Sequence, residues 1–329
     1  MLTISQVAEI AGVSVATISR VINDSPLVTE KTRQHVQKVI QELDYYPNTV
    51  ARSLSGARSK MLLALVPYIS NPFYSEIVHA INEVAHTHHY NLLLCETTTL
   101  RSREDAFFSM LKQKTVDGIV SLDPAVSPDN LSQYGAKYPI IQCCEYKESV
   151  DLPYVTIDNE QAAFDAVSLL AQTGCRKIVL VNAATSFGYA RLRRAGYLRA
   201  LQENGLAAKA AWQLEYRIGE DSGADVAQRL LKLKPRPDAV FCVSDLLAVG
   251  VQRALIEAGV RVPDDISIVG FDDIDLARLC TPVLTTIAQP TSQIGRQAAK
   301  MLFTLLRGEA LTERKVMLDY TLKRRQSTR

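Results

Sequence analysis

The sequence predicts two parts: a short all-α helix-turn-helix unit, and an α/β core made of two doubly wound parallel-sheet subdomains. Over residues 1–60 the helical patterns are short, brief turns separate them, and no strand-like run occurs. From Met61 onward, apolar β-type runs alternate with amphipathic helices, which is typical of parallel sheets with helices on both faces. Roughly 270 residues exceed one ordinary α/β sheet, so we expect two sheets that face a cleft.

The composition of the 329 residues suits a globular chain, because 47% of them are hydrophobic. Lys and Arg number 37 against 35 Asp and Glu, and a net charge of +2 does not by itself indicate a nucleic-acid partner. The six Cys residues have no Cys-x-x-Cys spacing, so we expect reduced thiols and no metal site. The N-terminus has no export-signal pattern and no apolar run is long enough to cross a bilayer, so we expect a cytoplasmic protein without a membrane partner.

Capping patterns define the first two helices. Thr3 and Gln6 have the spacing of a capping box, and the helix that they begin ends at Gly12. Ser14 can cap a second helix over 15–22, whose apolar residues fall on one face. Two short helices joined by a glycine-containing turn are the signature of a helix-turn-helix.

A third helix is predicted to begin near Thr29 and to end before the sequence Tyr45-Tyr46-Pro47. Residues 48–56 follow as a helix-compatible hinge segment with Asn48 as its cap. A helix of about eight residues is marginal alone in water, because nucleation is costly. The hinge segment must therefore order against another surface.

In the core, the apolar runs and helical periodicities alternate along the chain. The predicted strands cover 62–66, 91–94, 118–120, 140–141, 178–181, 239–242 and 266–269. The predicted helices cover 74–88, 104–114, 162–172, 192–204 and 247–258.

The exposed face of the second helix carries small or hydrogen-bonding side chains, which allow a helix to approach a DNA major groove closely. Arg20 is suited to read guanine edges, and Val15 and Ala16 to meet thymine methyl groups. Leu54 is an apolar residue on a short helix with little core to join, so it is a candidate wedge in the minor groove. The alternative is a small helical bundle that only caps the core.

Ligand sites in open α/β sheets lie just beyond the carboxyl ends of the strands. Phe73 with Tyr74, Asp272 and the pair Ser244-Asp245 each follow a predicted strand, and Arg193 begins the helix after another. Aromatic faces, a carboxylate and a forked guanidinium together favour an oxygen-rich ring ligand. Each residue also has a structural interpretation, as a turn residue, a helix cap or a solvated charge.

Catalytic patterns are poor in this sequence. No Gly-x-Gly-x-x-Gly follows a strand, and there is no phosphate loop and no Gly-x-Ser-x-Gly elbow. We therefore expect binding without chemistry, no cofactor and no enzyme. Two alternatives remain: a solute-binding protein of a transporter, and a nucleotide-cofactor enzyme on similar sheets.

An ordered series of segments resembles the lactose-repressor/galactose-repressor (LacI/GalR) family of transcriptional repressors from end to end. These segments are 4–14, 17–23, 46–48, 51–54, 71–73, 116–118, 155–158, 193 with 196–197, 244–245, 269–273 and 284–287. The start of the second helix is similar to that of galactose-responsive members, whereas the core looks more like that of cytidine-responsive members. The resemblance implies a periplasmic-binding-protein-like core with three crossover strands and a recognition helix.

The resemblance and the residues together define the predicted sites. The predicted DNA-contacting set is Thr3, Ser14, Val15, Ala16, Thr17, Ser19, Arg20, Asn23, Thr29, Thr32, Tyr45, Asn48, Ala51 and Leu54. The predicted effector-binding set is Phe73, Asp158, Arg193, Ser244, Asp272 and Gln289. Ser244 and Cys144 stand where many sugar-responsive members have Asn and Asp, so a nucleoside or a pentose-containing effector is preferred to a plain hexose, with other sugars or sugar phosphates next.

The predicted domains are a helix-turn-helix domain over 1–47, a hinge over 48–60 and a core over 61–329. Within the core, we expect one subdomain over about 61–158 plus 290–320 and another over about 159–289. The last residues show no heptad tail, so we expect a homodimer on a pseudo-palindromic double-stranded operator. Residues 1–60 hold seven Lys and Arg against five Asp and Glu, so DNA affinity should depend on dimerisation and base readout more than on bulk charge.

Overall fold

A computed structural model describes residues 2–22, 25–45, 58–99, 101–218 and 222–329. The chain divides into two compact units, Met1–Ser59 and Lys60–Arg329. In the described part of the chain, no helix is long and apolar enough to span a membrane.

The first unit contains helices α1 (Ile4–Ile10), α2 (Val15–Ile22) and α3 (Glu30–Glu42). The predicted capping box is confirmed, because Gln6 N donates to Thr3 Oγ1 at 3.3 Å and Thr3 N donates to Gln6 Oε1 at 2.9 Å. These bonds satisfy backbone and side-chain groups that a helix start otherwise leaves open.

The other two helix starts in this unit are also confirmed. Ser14 Oγ accepts from Thr17 N at 3.1 Å, and Thr29 Oγ1 accepts from Thr32 N at 3.3 Å. The turn between α1 and α2 contains Gly12 at φ +63°, a conformation that glycine adopts without strain. Local sequence therefore sets the helix boundaries of the unit.

The small core of this unit is formed by apolar faces of all three helices. Its buried residues are Val7, Ala8, Ala11, Ile18, Val21, Val36, Val39 and Tyr45. The predicted inward face of α2 is thus confirmed for Ile18 and Val21, while Ile22 is only partly buried.

In the second unit, strands and helices alternate as predicted. The strands are β1 (Met61–Val66), β2 (Asn91–Glu96), β3 (Gly118–Ser121), β4 (Ile140–Cys143), β5 (Tyr154–Ile157), β6 (Ile178–Asn182), β7 (Gln213–Glu215), β8 (Ala239–Cys242), β9 (Ser267–Asp272), β10 (Thr285–Ala288), β11 (Lys315–Leu318) and β12 (Thr321–Lys323). The helices are α4 (Pro72–Thr87), α5 (Arg101–Lys112), α6 (Pro128–Gly135), α7 (Asn159–Gln172), α8 (Gly188–Glu203), α9 (Ser222–Lys232), α10 (Asp245–Glu257), α11 (Asp275–Leu279) and α12 (Thr291–Leu306). A short 3-10 turn, Ala210–Trp212, precedes β7.

Two six-stranded sheets organise this unit. The first has the order β2-β1-β3-β4-β5-β11 and is parallel throughout. The second has the order β7-β6-β8-β9-β10-β12, and only its edge strand β12 runs antiparallel. The predicted pair of parallel sheets is confirmed, and central strands such as β1, β6 and β8 are almost wholly buried.

The chain passes between the two sheets three times, after β5, after β10 and after β11. Helix α7 packs against α8 beside the second sheet, and α12 packs against α4 beside the first. At the third crossing, the Tyr320 hydroxyl donates to Asp165 Oδ2 at 2.5 Å. The residues after 320 join the second sheet, because β12 pairs with β10 and Ser327 donates its hydroxyl to the Ile268 carbonyl.

Candidate functional site

A cavity lies where the carboxyl ends of both sheets face each other, and about 430 Å³ of space, part of it open to solvent, is enclosed by its walls. Each wall segment follows a strand, as expected for a ligand site in an open α/β sheet. Its lining residues are Asn71, Phe73, Tyr74, Leu122, Pro124, Cys144, Glu145, Tyr189, Arg193, Ile218, Val243, Ser244, Asp272 and Gln289.

The structure brings five of the six predicted effector residues together in this cavity: Phe73, Arg193, Ser244, Asp272 and Gln289. Asp158 does not line it. This residue is exposed at the first crossing, where its Oδ1 accepts from Gln161 N at 2.9 Å and caps α7. Asp158 therefore has a structural role in the helix start, and any contact with a ligand would be at the border of the cavity.

Arg193 is a buried guanidinium held in one orientation. Its Nε donates to Asn159 Oδ1 at 2.9 Å, and its Nη1 donates to the Val243 carbonyl at 2.5 Å. The group lies 3.5 Å from the centre of the Phe271 ring, a cation–π contact. Burial lowers the pKa of Arg193, while the carboxylate of Asp272, with Nη1 and Oδ1 3.9 Å apart, opposes that shift.

Asp272 is a buried carboxylate at the end of β9. Gln289 Nε2 donates to its Oδ1 at 2.8 Å, and its backbone has a φ of +117°, a strained conformation for a residue with a side chain. Burial raises the pKa of Asp272 to about 6, against the opposing effects of Arg193 and Gln289. At neutral pH the side chain is thus an ionised, poorly solvated acceptor suited to ligand hydroxyl groups.

Ser244 presents a buried hydroxyl to the same place. Among the described residues, its Oγ has no hydrogen-bond partner within 3.5 Å, although it is near enough to Asp272 to lower the pKa of that carboxyl. A buried polar atom without a partner is unfavourable unless another molecule completes its bonding. This hydroxyl is therefore available to a ligand.

The opposite wall is aromatic. The Phe73 and Tyr74 rings meet edge to face with their centres 5.2 Å apart. Burial raises the pKa of Tyr74 and of Tyr189, so both remain neutral phenols. Ring faces beside a carboxylate and a guanidinium suit a flat or cyclic ligand that carries hydroxyl groups.

The residues at this site that were not predicted include Asn159, Glu145 and Tyr189. Asn159 is buried beside Arg193. Glu145 lies two residues after the end of β4, so the rule of strand ends would have found it. Asp245, which the sequence left open between site and structure, lies outside the cavity lining. Its carboxylate accepts from Thr286 Oγ1 at 2.6 Å and from Ile274 N at 3.1 Å, inside the second subdomain.

In the first unit, the start of α2 presents an exposed surface. Val15, Ala16 and Arg20 are exposed, whereas Thr17 and Ser19 are partly buried. Three of the predicted phosphate donors, Thr3, Ser14 and Thr29, lie at helix starts. A fourth, Thr32, has its Oγ1 2.9 Å from Thr29 Oγ1. The fifth, Tyr45, is buried in the core of this unit. The predicted contacts Asn23, Asn48, Ala51 and Leu54 lie outside the described residues.

Comparisons with known proteins agree with this two-part architecture. Residues 3–48 match the model of bacterial regulatory proteins of the lacI family, and residues 167–328 match the periplasmic binding protein-like domain. The chain is 34% identical over 328 residues to the transcriptional repressor CytR of Escherichia coli K12, covering 99% of this chain and 96% of that protein. It is 33% identical over 329 residues to the catabolite control protein A of Priestia megaterium, covering 99% of both.

The chain belongs to the LacI family. A solved structure of the Lac repressor dimer, bound to operator and the anti-inducer ONPF, matches with a TM-score of 0.86, 29% identity and 99% coverage of both chains.

Membership of the LacI family makes this chain a DNA-binding transcriptional regulator with a ligand-binding core. The predicted family, fold class and regulator function are confirmed, and an enzyme or a transporter's binding protein is not supported. The contacts assigned to individual residues of this LacI-family chain remain predictions.

Proposed function

We propose that this chain is a dimeric repressor of catabolic or uptake genes whose operator affinity is set by a small ring-shaped effector with several hydroxyl groups. A nucleoside is the first candidate, followed by pentoses and other sugars. The observation that carries the proposal is one cavity in which Asp272, Arg193 and the unpartnered Ser244 hydroxyl face aromatic rings. Because the partner is operator DNA, the proposed location is the cytoplasm.

The chemistry of the cavity fits such an effector. A carboxylate can accept two hydroxyl hydrogen bonds, and a guanidinium can donate two parallel bonds to ligand oxygens. The Asp272 and Arg193 side chains supply these groups in a buried setting, where an unmatched polar group is costly. The Phe73 ring offers a face on which a base or sugar ring can pack.

The cavity walls also support control at a distance. Phe73 and Glu145 follow strands of the first sheet, whereas Arg193 follows a strand of the second sheet and Asp272 ends one. An effector that contacts both walls favours one relative arrangement of the subdomains, and a preference of a few kcal/mol is enough to change operator affinity. In this proposal the hinge over 48–60 orders when two copies pair on DNA.

The recognition helix of the proposal is α2. Arg20 is exposed near its C-terminal end and is the candidate for bidentate contact with a guanine. Val15, which is 41% exposed, and Ala16 are the candidates for thymine methyl contacts. A pseudo-palindromic operator follows from the two-fold symmetry of a dimer.

The Ser244 hydroxyl provides a sharp test. The effector would be found by a thermal-shift screen of nucleosides, pentoses, hexoses and their phosphates, and the operator by selection from random DNA. Ser244→Ala should weaken the effector hit roughly three- to tenfold, because it removes one hydrogen bond worth about 0.5–1.5 kcal/mol.

Ser267→Ala is the matched control for this experiment. Its hydroxyl is also buried without a partner within 3.5 Å among the described residues, but it lies in β9 away from the cavity lining. Equal effects of the two substitutions on effector affinity would refute the proposed site. A hit that binds without changing operator affinity would refute the proposed regulation.

A further inference from the structure

Glu145 places a second buried carboxylate in the cavity. The side chain follows β4 in the first subdomain and is 7% exposed. Its Oε2 accepts from Tyr189 N at 3.0 Å, in the first turn of α8 of the second subdomain. The neighbouring Tyr146 N donates to its Oε1 at 3.3 Å. The carboxylate therefore bridges the two walls of the cavity.

Gly188 permits this close approach. A Cβ atom at this position, the first residue of α8, would overlap Glu145 Oε1. Backbone N–H groups at a helix start carry partial positive charge, which favours a carboxylate at this place. The geometry thus fixes the Glu145 side chain at the cavity wall.

Among the described residues, no Lys or Arg side chain lies within 4.0 Å of the Glu145 carboxylate, which is held by backbone N–H groups. The Lys147 ammonium group donates a hydrogen bond to the Pro124 carbonyl. The Arg193 guanidinium donates hydrogen bonds to the Asn159 side chain and the Val243 carbonyl. Burial raises the pKa of Glu145, and these two more distant cations only partly oppose that effect.

The cavity lining has an excess of acidic groups. Its carboxyl groups are those of Glu145 and Asp272, against a single guanidinium, that of Arg193. Burial keeps the phenols of Tyr74 and Tyr189 neutral, because it raises their pKa values. In a buried site, like charges a few ångströms apart repel by more than they do in water. An anionic ligand would therefore meet two carboxylates and only one cation, Arg193, two of whose N–H groups are already bonded to Asn159 and Val243.

We propose that Glu145 sets the chemical class of the effector: an uncharged ring compound with an amino N–H donor. Phosphorylated or carboxylated analogues are rejected. This inference rests on the proposed function and narrows its candidates, because it removes sugar phosphates and sugars without an amino group. The Glu145 carboxylate accepts a hydrogen bond from the ring amino group, while Asp272 and Arg193 bind hydroxyl groups.

Matched nucleosides test the inference by calorimetry on the full-length protein. The amino-to-oxo pairs are cytidine with uridine and adenosine with inosine, and each nucleoside is compared with its 5′-monophosphate. We expect the amino member of a pair to bind at least tenfold more tightly than the oxo member. We expect each monophosphate to bind at least tenfold more weakly than its nucleoside, a difference of about 1.4 kcal/mol.

Two affinity ratios are compared: that of the amino over the oxo nucleoside, and that of the nucleoside over its monophosphate. Glu145→Gln should reduce both ratios severalfold, since the amide is uncharged and can donate to an oxo group as well as accept from an amino group. Glu148→Gln is the matched control. Glu148 lies three residues on, is largely exposed, and pairs with Arg191 across the same two subdomains at 3.4 Å, outside the cavity lining. This variant should keep both ratios.

Three results would overturn the assignment: monophosphates that bind as tightly as nucleosides, ratios that Glu145→Gln leaves unchanged, or no binding by any uncharged member of the panel. Operator binding, measured on the same preparations, separates this inference from the proposed function. A sugar phosphate that binds tightly and changes operator affinity would refute the role of Glu145 alone. Amino nucleosides that bind as expected without changing operator affinity would refute the regulation alone.

Discussion

Replacing Asp272 with Asn is expected to stabilise the free protein. Burial raises the pKa of this carboxyl from its ordinary 3.8 to about 6, although Arg193 and Gln289 favour the charged form. Each pKa unit corresponds to about 1.36 kcal/mol, so the ionised side chain lowers the free energy of unfolding by about 3 kcal/mol at neutral pH. Asn has nearly the same shape and, like Asp, tolerates a positive φ better than most residues.

The pH dependence of this effect has a defined sign. Between the ordinary pKa of 3.8 and the raised value of about 6, the folded state binds more protons at Asp272 than the unfolded state. The contribution of this group to the free energy of unfolding therefore falls as the pH rises through that window. Above the window, the contribution no longer changes with pH. The advantage of Asp272→Asn should be about half developed at pH 5 and complete at pH 8.

Thermal melts of the full-length protein from pH 5 to pH 8 measure this difference. At pH 8 we expect Asp272→Asn to raise the melting temperature of the core by roughly 5 °C or more. Asp273→Asn is the control, and it should lower the melting temperature. Asp273 accepts hydrogen bonds from Arg325 at 2.6 Å and from Arg278 at 2.9 Å, and the substitution removes the charge that these bonds depend on. A variant Asp272→Asn that melts at or below wild type at pH 8, or whose advantage does not grow with pH, would refute the reasoning.

Three further substitutions have defined outcomes. Arg20→Ala should relax base preference at one operator position and weaken the specific site by about 1–3 kcal/mol, as measured by binding to single-base operator variants; an equal loss on every sequence would indicate a phosphate contact. Leu54→Ala should weaken specific operator binding in a titration, whereas unchanged affinity would remove the minor-groove wedge. Gly196→Ala should lower the melting temperature of the core, because its Cβ would overlap the Glu160 carbonyl of α7, and overpacking costs about 1–3 kcal/mol; an unchanged melt would show that the two helices can separate.

Local signals explain why most of the fold was predictable. The helix starts at Thr3, Ser14 and Thr29 depend on side chains within three residues of each cap, so the sequence contains all of the information. The central strands are continuous apolar runs, which short windows detect. Strands β5, β7, β10, β11 and β12 were not predicted, because each has only three or four residues and gives a weak periodic signal. Strands β7, β11 and β12 are also partly exposed at or near a sheet edge.

The candidate cavity was predictable to the extent that it follows strand ends. Phe73, Arg193, Ser244, Asp272 and Gln289 met there as the topology of parallel sheets implies. The bond between Asn159 and Arg193, and that between Glu145 and the backbone of Tyr189, join segments that are distant in sequence. Such contacts depend on how the two sheets face each other, which periodicity does not encode.

The most direct measurement is the operator affinity of the full-length protein with and without its effector, compared between wild type and Asp272→Asn. We expect saturating effector to change the operator Kd of wild type at least fivefold, the usual lower bound of allosteric coupling. Asp272→Asn should lose effector binding and this change together, while its operator affinity without effector stays within twofold of wild type. A change in operator Kd that persists in the variant, after effector binding at the cavity has been lost, would contradict control through this site.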